Sequence, residues 1–237
     1  MLLEILGRLN WPTLPMSWSE TSDVADLIGR DRIAFGETTF EYGPLARAMK
    51  EGFALLINEV DRGRGGNLVG LNDVLDGGKL VIKETGEVIE PHERFRLLVT
   101  ANSAGSGDLT GAYSGSVRKL DPAFLDRFWY TKVDYMEQQD EIDLFLRKYP
   151  DMSGVFIQKM AKFAAETRQR AEDGSGDISV SLSTRSLDRF LTIAAAFGLH
   201  DPKTDREVIT ALKPAYLDRL PADEREAALS LLKMCFG

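Results

Sequence analysis

The chain has 237 residues, 43% of them hydrophobic, enough for one large domain or two small ones with a real core. A formal net charge of −8 and a pI near 5.0 exclude a nucleic-acid surface made from net charge alone. A single cysteine (Cys235) excludes an internal disulfide, two histidines (His92 and His200) build no zinc cluster, and no apolar stretch approaches the roughly 18 residues that span a membrane. Glu4 falls where a signal peptide keeps an uncharged run, so the protein is expected in the cytoplasm.

Leu2, Ile5, Leu6 and Leu9 recur at helical spacing and predict a helix over 2–9, ended by Asn10-Trp11-Pro12. A short strand is expected at 14–18, with Pro15 marking an edge position or a strained start. Ser22 or Asp23 caps a helix through Ile28 that Gly29 stops, and 31–43 reads as a hairpin around Gly36-Glu37. Pro44 opens a helix that Gly52 closes. Phe53–Ile57 is then a continuous apolar run, too short for an isolated helix and suited to a strand buried on both faces. An arginine- and glycine-rich loop at 62–66, a helical stripe over 68–75 and a second hairpin at 79–90 follow.

Leu97–Asn102 is a second buried run, and 103–116, with four glycines and four serines in fourteen residues, reads as a loop. Asp121 and Pro122 start a helix running to Phe128, and 129–133 is expected as a last strand. From Glu137 onward the pattern is helical throughout, apart from a polar link at 172–177. The switch places a boundary near residue 136, between an α/β domain (1–136) and an all-helical one (137–237). Trp11, Trp18 and Trp129 read as core, and Cys235 as a core or helix-face residue.

Both buried runs end in polar residues, the first in Asn58, Glu59 and Asp61, the second in Asn102. The carboxyl edge of a parallel sheet is where ligands bind, and a carboxylate there can orient a nucleophile. Read without their neighbours, Glu59 and Asp61 are solvated loop charges and Asn102 is a turn former.

Five strings occur in order across the chain: Arg8-Leu9-Asn10-Trp11-Pro12; Asp26-Leu27-Ile28-Gly29; Thr100-Ala101-Asn102 with Gly105, Gly107-Asp108 and Thr110-Gly111; Asp121–Phe128; and Phe236-Gly237. Together they resemble the cobaltochelatase ATPase subunit family and its MoxR-group relatives among the AAA+ ATPases. The resemblance implies an α/β P-loop NTPase-type parallel-sheet core with a C-terminal all-α lid, binding ATP and Mg2+. On it, Glu59 matches the Walker B glutamate that polarises water. Asn58 stands where the family usually has the aspartate that holds magnesium through water. Asn102 matches sensor 1, Arg127 the arginine finger that acts on a neighbouring subunit, and Arg185 the sensor 2 arginine of the lid, with Arg189 the alternative. The bland readings pair Arg127 with Asp126 or Asp121, and Arg185 with Asp188.

The two hairpins resemble insertions that face the ring's pore or its partner, or are ordinary surface hairpins. The resemblance further implies a hexameric ring and a partner with a von Willebrand factor A domain. No Gly-x-x-x-x-Gly-Lys-Ser/Thr occurs in the sequence, and Gly7 lies inside the first predicted helix. The family's first strand and phosphate loop fall ahead of Met1, so the chain is expected to be N-terminally truncated, or else a degenerate ATPase. ATP binding by the isolated chain is expected to be weak or absent. The alternative function is a non-hydrolysing structural subunit that assembles with complete AAA+ ATPases, and a third reading is an acidic regulatory protein unrelated to nucleotides.

Overall fold

The computed structural model describes all residues except Phe35, Arg64, 104–116, 174–176 and Gly237. It divides into two compact units, Met1–Thr131 and Lys132–Gly237, each with its own apolar core.

The first unit begins with α1 (Leu2–Arg8), β1 (Thr13–Ser17), α2 (Val24–Ile28), and the hairpin of β2 (Gly29–Ala34) and β3 (Glu37–Tyr42). Helix α3 (Pro44–Glu51) and strand β4 (Ala54–Asn58) follow. Then come α4 (Asn72–Leu75), the short β5 (Leu80–Val81) and β6 (Val88–Ile89), β7 (Arg96–Val99) and α5 (Pro122–Leu125). Helix α3 shows why local sequence suffices here. Pro44 occupies its first turn, and Gly52 ends it in the left-handed region at φ 74°, where a side chain would also meet the His92 ring.

Strands β1, β4 and β7 form a parallel sheet in that order, with Ser17 opposite Asn58 and Ile57 opposite Val99. Ala54, Leu55, Leu56 and Ile57 of central β4 are all buried. Leaving such a strand in water would forfeit roughly 1.5–3 kcal/mol for each leucine or isoleucine. Pro15, which lacks an N–H, sits in β1, an edge strand among the described residues.

The second unit holds α6 (Gln138–Lys148), α7 (Gly154–Asp173), α8 (Thr184–Ala196), α9 (Asp205–Ala215) and α10 (Ala222–Phe236). Met160, Phe163, Phe190, Leu212 and Tyr216 fill its centre. Ser183 caps α8, and Thr204 with Glu207 forms a capping box on α9. Inside the unit, Arg168 makes a bidentate pair with Glu141 at 2.8 and 3.0 Å, stacks on Tyr135, and donates to the Leu182 carbonyl.

Several expectations are corrected. Residues 129–133 form no strand: they join no ladder among the described residues, so β-propensity has no hydrogen-bonding partner to act on. Trp129 is not core but wholly exposed, with Tyr130 and Val133 exposed beside it. Helix α5 ends at Leu125 rather than Phe128. The expected loop at 62–66 and the first half of the helical stripe are largely 3-10 turns, Val60–Arg62 and Gly65–Leu71. Only 72–75 is α-helical, because glycines at 65, 66 and 70 disfavour a regular α-helix. The expected loop at 103–116 lies, from residue 104 onward, outside the described residues.

Candidate functional site

The carboxyl ends of β4 and β7 meet through main chain and side chains together. Beyond the ladder, the Val60 N–H donates to the Thr100 carbonyl and the Thr100 N–H to the Ile57 carbonyl, both at 2.9 Å. Register therefore places Thr100 beside Asn58. Its hydroxyl accepts from the Glu59 N–H at 3.1 Å and donates to Asn58 Oδ1 at 3.3 Å.

Glu59 itself has φ 56°, a left-handed backbone that costs a non-glycine residue on the order of 1 kcal/mol or more. This conformation turns the chain out of the buried strand at once and leaves the carboxylate half-exposed. Glu59 Oε2 pairs with Arg62 Nε at 2.9 Å. A surface pair of this kind is worth about 0–1 kcal/mol, so it gives way easily to a ligand.

Asp61 is not a solvated charge; it is fully buried. Its Oδ2 accepts from the N–H groups of Asn102 and Ser103 at 2.8 and 2.9 Å and from the Ser103 hydroxyl at 3.2 Å. The Asn102 side chain is exposed and makes no hydrogen bond among the described residues. Asn58, Glu59 and Asn102 are thus brought to one sheet edge, with Thr100 and Asp61 as the ties between them. Sequence reading identified neither residue as a tie. The signal for Thr100 lay in the parallel register, and the signal for Asp61 in its place one turn beyond a strand buried on both faces.

Arg127 is held elsewhere. Its Nε donates to both Asp76 carboxylate oxygens at 2.9 and 3.0 Å, and its Nη1 to the Ala123 carbonyl. The intramolecular partner is therefore Asp76, not Asp126 or Asp121. That carboxylate raises the Arg127 pKa further above the ordinary arginine value. Arg185, in the first turn of α8 in the second unit, is exposed and makes no ion pair among the described residues. The expected offset by Asp188 is absent, because Asp188 takes Lys148 at 2.6 and 2.8 Å and the Tyr149 hydroxyl at 2.8 Å. Arg189 is exposed as well.

Asn58 Oδ1 is engaged by Thr100, Glu59 by Arg62, and the Asp61 carboxylate is buried. Among the described residues no group of three His, Cys, Asp or Glu gathers to hold a cation. Asn58 Oδ1 accepts from Thr100 and keeps a second lone pair for a magnesium-bound water, the contact expected of it. The side-chain amides of Asn58 and Asn102 are neutral donors suited to phosphate.

The family model described as "AAA domain (dynein-related subfamily)" matches residues 1–128. The chain is similar to the aerobic cobaltochelatase subunit CobS of Sinorhizobium sp., at 30% identity over 244 residues, covering 99% of this chain and 70% of that protein. Protein NorQ of Paracoccus denitrificans is 28% identical over 207 residues, covering 84% of this chain and 73% of its own. The denitrification regulatory protein NirQ of Pseudomonas aeruginosa is 29% identical over 135 residues, 56% of this chain and 49% of that protein.

Proposed function

The chain belongs to the AAA domain family, in its dynein-related subfamily, and on that premise we propose that it is an ATPase module of the CobS and NorQ type whose hydrolytic site is the β4–β7 edge. The observation that carries this reading is Glu59: a half-exposed carboxylate on a strained left-handed residue, at the end of the central buried strand, with its backbone N–H fixed by Thr100. Strain of this kind persists where the surroundings over-determine it, which is common at functional sites.

In this reading Glu59 leaves Arg62 and orients a water molecule for attack on the terminal phosphate of ATP, and Asn102 donates its amide to a phosphate oxygen. Residues 1–136 are the nucleotide-binding core and 137–237 the lid, which contributes Arg185. Subunits assemble in a ring, a hexamer by family analogy. There Arg127 exchanges Asp76 for a neighbour's nucleotide, and turnover remodels a partner protein or inserts a metal, the latter by analogy with the name of the cobaltochelatase relative. A cytoplasmic setting goes with this role, and among the described residues no helix is long and apolar enough to cross a membrane.

A second reading is favoured by one fact: Asn58 offers no carboxylate at the end of β4. The chain is then a non-hydrolysing subunit that assembles with complete AAA ATPases. ATP turnover at millimolar nucleotide separates the two. The first reading expects turnover, in a version of the chain that carries a phosphate loop, that Glu59→Gln abolishes while ATP binding stays unchanged. Absent turnover, with stimulation of an added complete ATPase, selects the second.

A further inference from the structure

Asp61 has no role in the mechanism above, yet among the described residues it is the one buried acidic group of the first unit. It is fully buried, and its Oδ2 gathers three donors from Asn102 and Ser103 at 2.8–3.2 Å. Its backbone carbonyl accepts from the Arg118 N–H at 2.7 Å. One residue thus holds both Ser103 and Arg118, the first by its carboxylate and the second by its carbonyl. Its Oδ1 is buried without a partner among the described residues. A buried carboxylate kept with one oxygen unsatisfied is costly and weak as a source of stability, because an apolar residue would fill the same volume without that cost. Two backbone N–H groups, which no apolar side chain can hold, account for its presence.

We infer that Asp61 is a positioning residue: its buried carboxylate fixes the main chain of Asn102 and Ser103 against the Glu59 turn, and so sets the Asn102 amide at the β4–β7 edge. The catalytic part of this statement rests on the proposed ATPase reading of that edge; the positioning part does not. Glu59 and Asp61 lie on one 3-10 turn, with the Arg62 N–H donating to the Glu59 carbonyl at 2.9 Å. Asp61 therefore couples Asn102 and Ser103 to the turn that carries Glu59, beyond the ties that Thr100 makes one step earlier.

The test is amide hydrogen exchange on the full chain, wild type against Asp61→Asn and Asp61→Ala. In Asp61→Ala, exchange at Asn102 and Ser103 accelerates by about tenfold or more, as loss of a charge-assisted bond requires. In Asp61→Asn, which keeps a neutral acceptor, the acceleration is smaller and still measurable, and it decides the matter if the alanine variant does not fold. Amides of β4 and β7 keep their protection in both. Unchanged exchange at Asn102 and Ser103, or equal loss across β4 and β7, overturns the assignment.

ATP turnover is the second readout. Asp61→Asn lowers kcat with little change in KM and adds nothing further in an Asn102→Ala background, whereas fully additive losses contradict positioning through Asn102. If the wild type shows no turnover in the version that carries a phosphate loop, the ATPase reading of the site fails, and amide exchange at Asn102 and Ser103 still decides whether Asp61 positions them.

Discussion

Glu59 shows how one residue carries a backbone cost beside a proposed use. At φ 56° it occupies a backbone region that glycine adopts freely and glutamate does not. Glu59→Gly is expected to stabilise the first unit by about 1 kcal/mol, read as a higher midpoint in denaturant, while removing the carboxylate and any turnover. An unchanged or lowered midpoint would mean that the left-handed turn carries no strain. Glu59 is conspicuous in the sequence because a charge follows five apolar residues and one asparagine. Asp61 is ambiguous there, since a carboxylate two positions later reads as solvated unless the turn is known to fold back under the strand. Arg127 misleads for a related reason: its local carboxylates, Asp121 and Asp126, are near in sequence, while the partner it takes, Asp76, lies at the end of α4.

Among the elements, those with strong local punctuation are legible. Helix α2 runs between the capping Asp23 and Gly29, and α3 between Pro44 and Gly52, each as its terminal residues dictate. What sequence does not show is how the elements are fastened to each other. The Tyr42 hydroxyl of β3 donates to Glu87 Oε2 at 2.6 Å, beside β6, and Lys50 of α3 donates to both Tyr42 and Glu87 at 3.0 and 2.9 Å. The hydrogen bond from Tyr42 and then the one from Lys50 hold the Glu87 carboxyl below the usual range. For a depressed carboxylate, the stabilisation is present above the unfolded value, about 4.3 for glutamate, and is lost as pH falls through the folded one. Acidification through and below pH ~4 should therefore loosen the link between the two hairpins. Tyr42→Phe should remove part of that pH dependence, as followed by proteolysis or amide exchange in 79–90. If exchange there is equally pH-sensitive in Tyr42→Phe, the link does not depend on Tyr42.

At the scale of the molecule, the change from alternating strands and helices to helices alone is readable, and with it the α/β parallel-sheet class. Residues 129–133 are not, because a strand is defined by its ladder and no sequence pattern supplies a missing partner. In the second unit the pair of Glu141 and Arg168 is buried and bidentate, so Arg168→Ala should destabilise that unit by about 3–5 kcal/mol by leaving Glu141 unpaired. Glu141→Leu with Arg168→Met should recover most of the loss, and thermal unfolding of the three proteins measures both. The central claim is that the β4–β7 edge is where nucleotide acts, and titration of the labelled full chain with ATP, followed by amide chemical shifts, tests it most directly. The largest shifts are expected on Asn58, Glu59, Thr100 and Asn102, are lost in Asn102→Ala, and appear at millimolar ATP if binding is weak. Shifts centred elsewhere in the chain would contradict it.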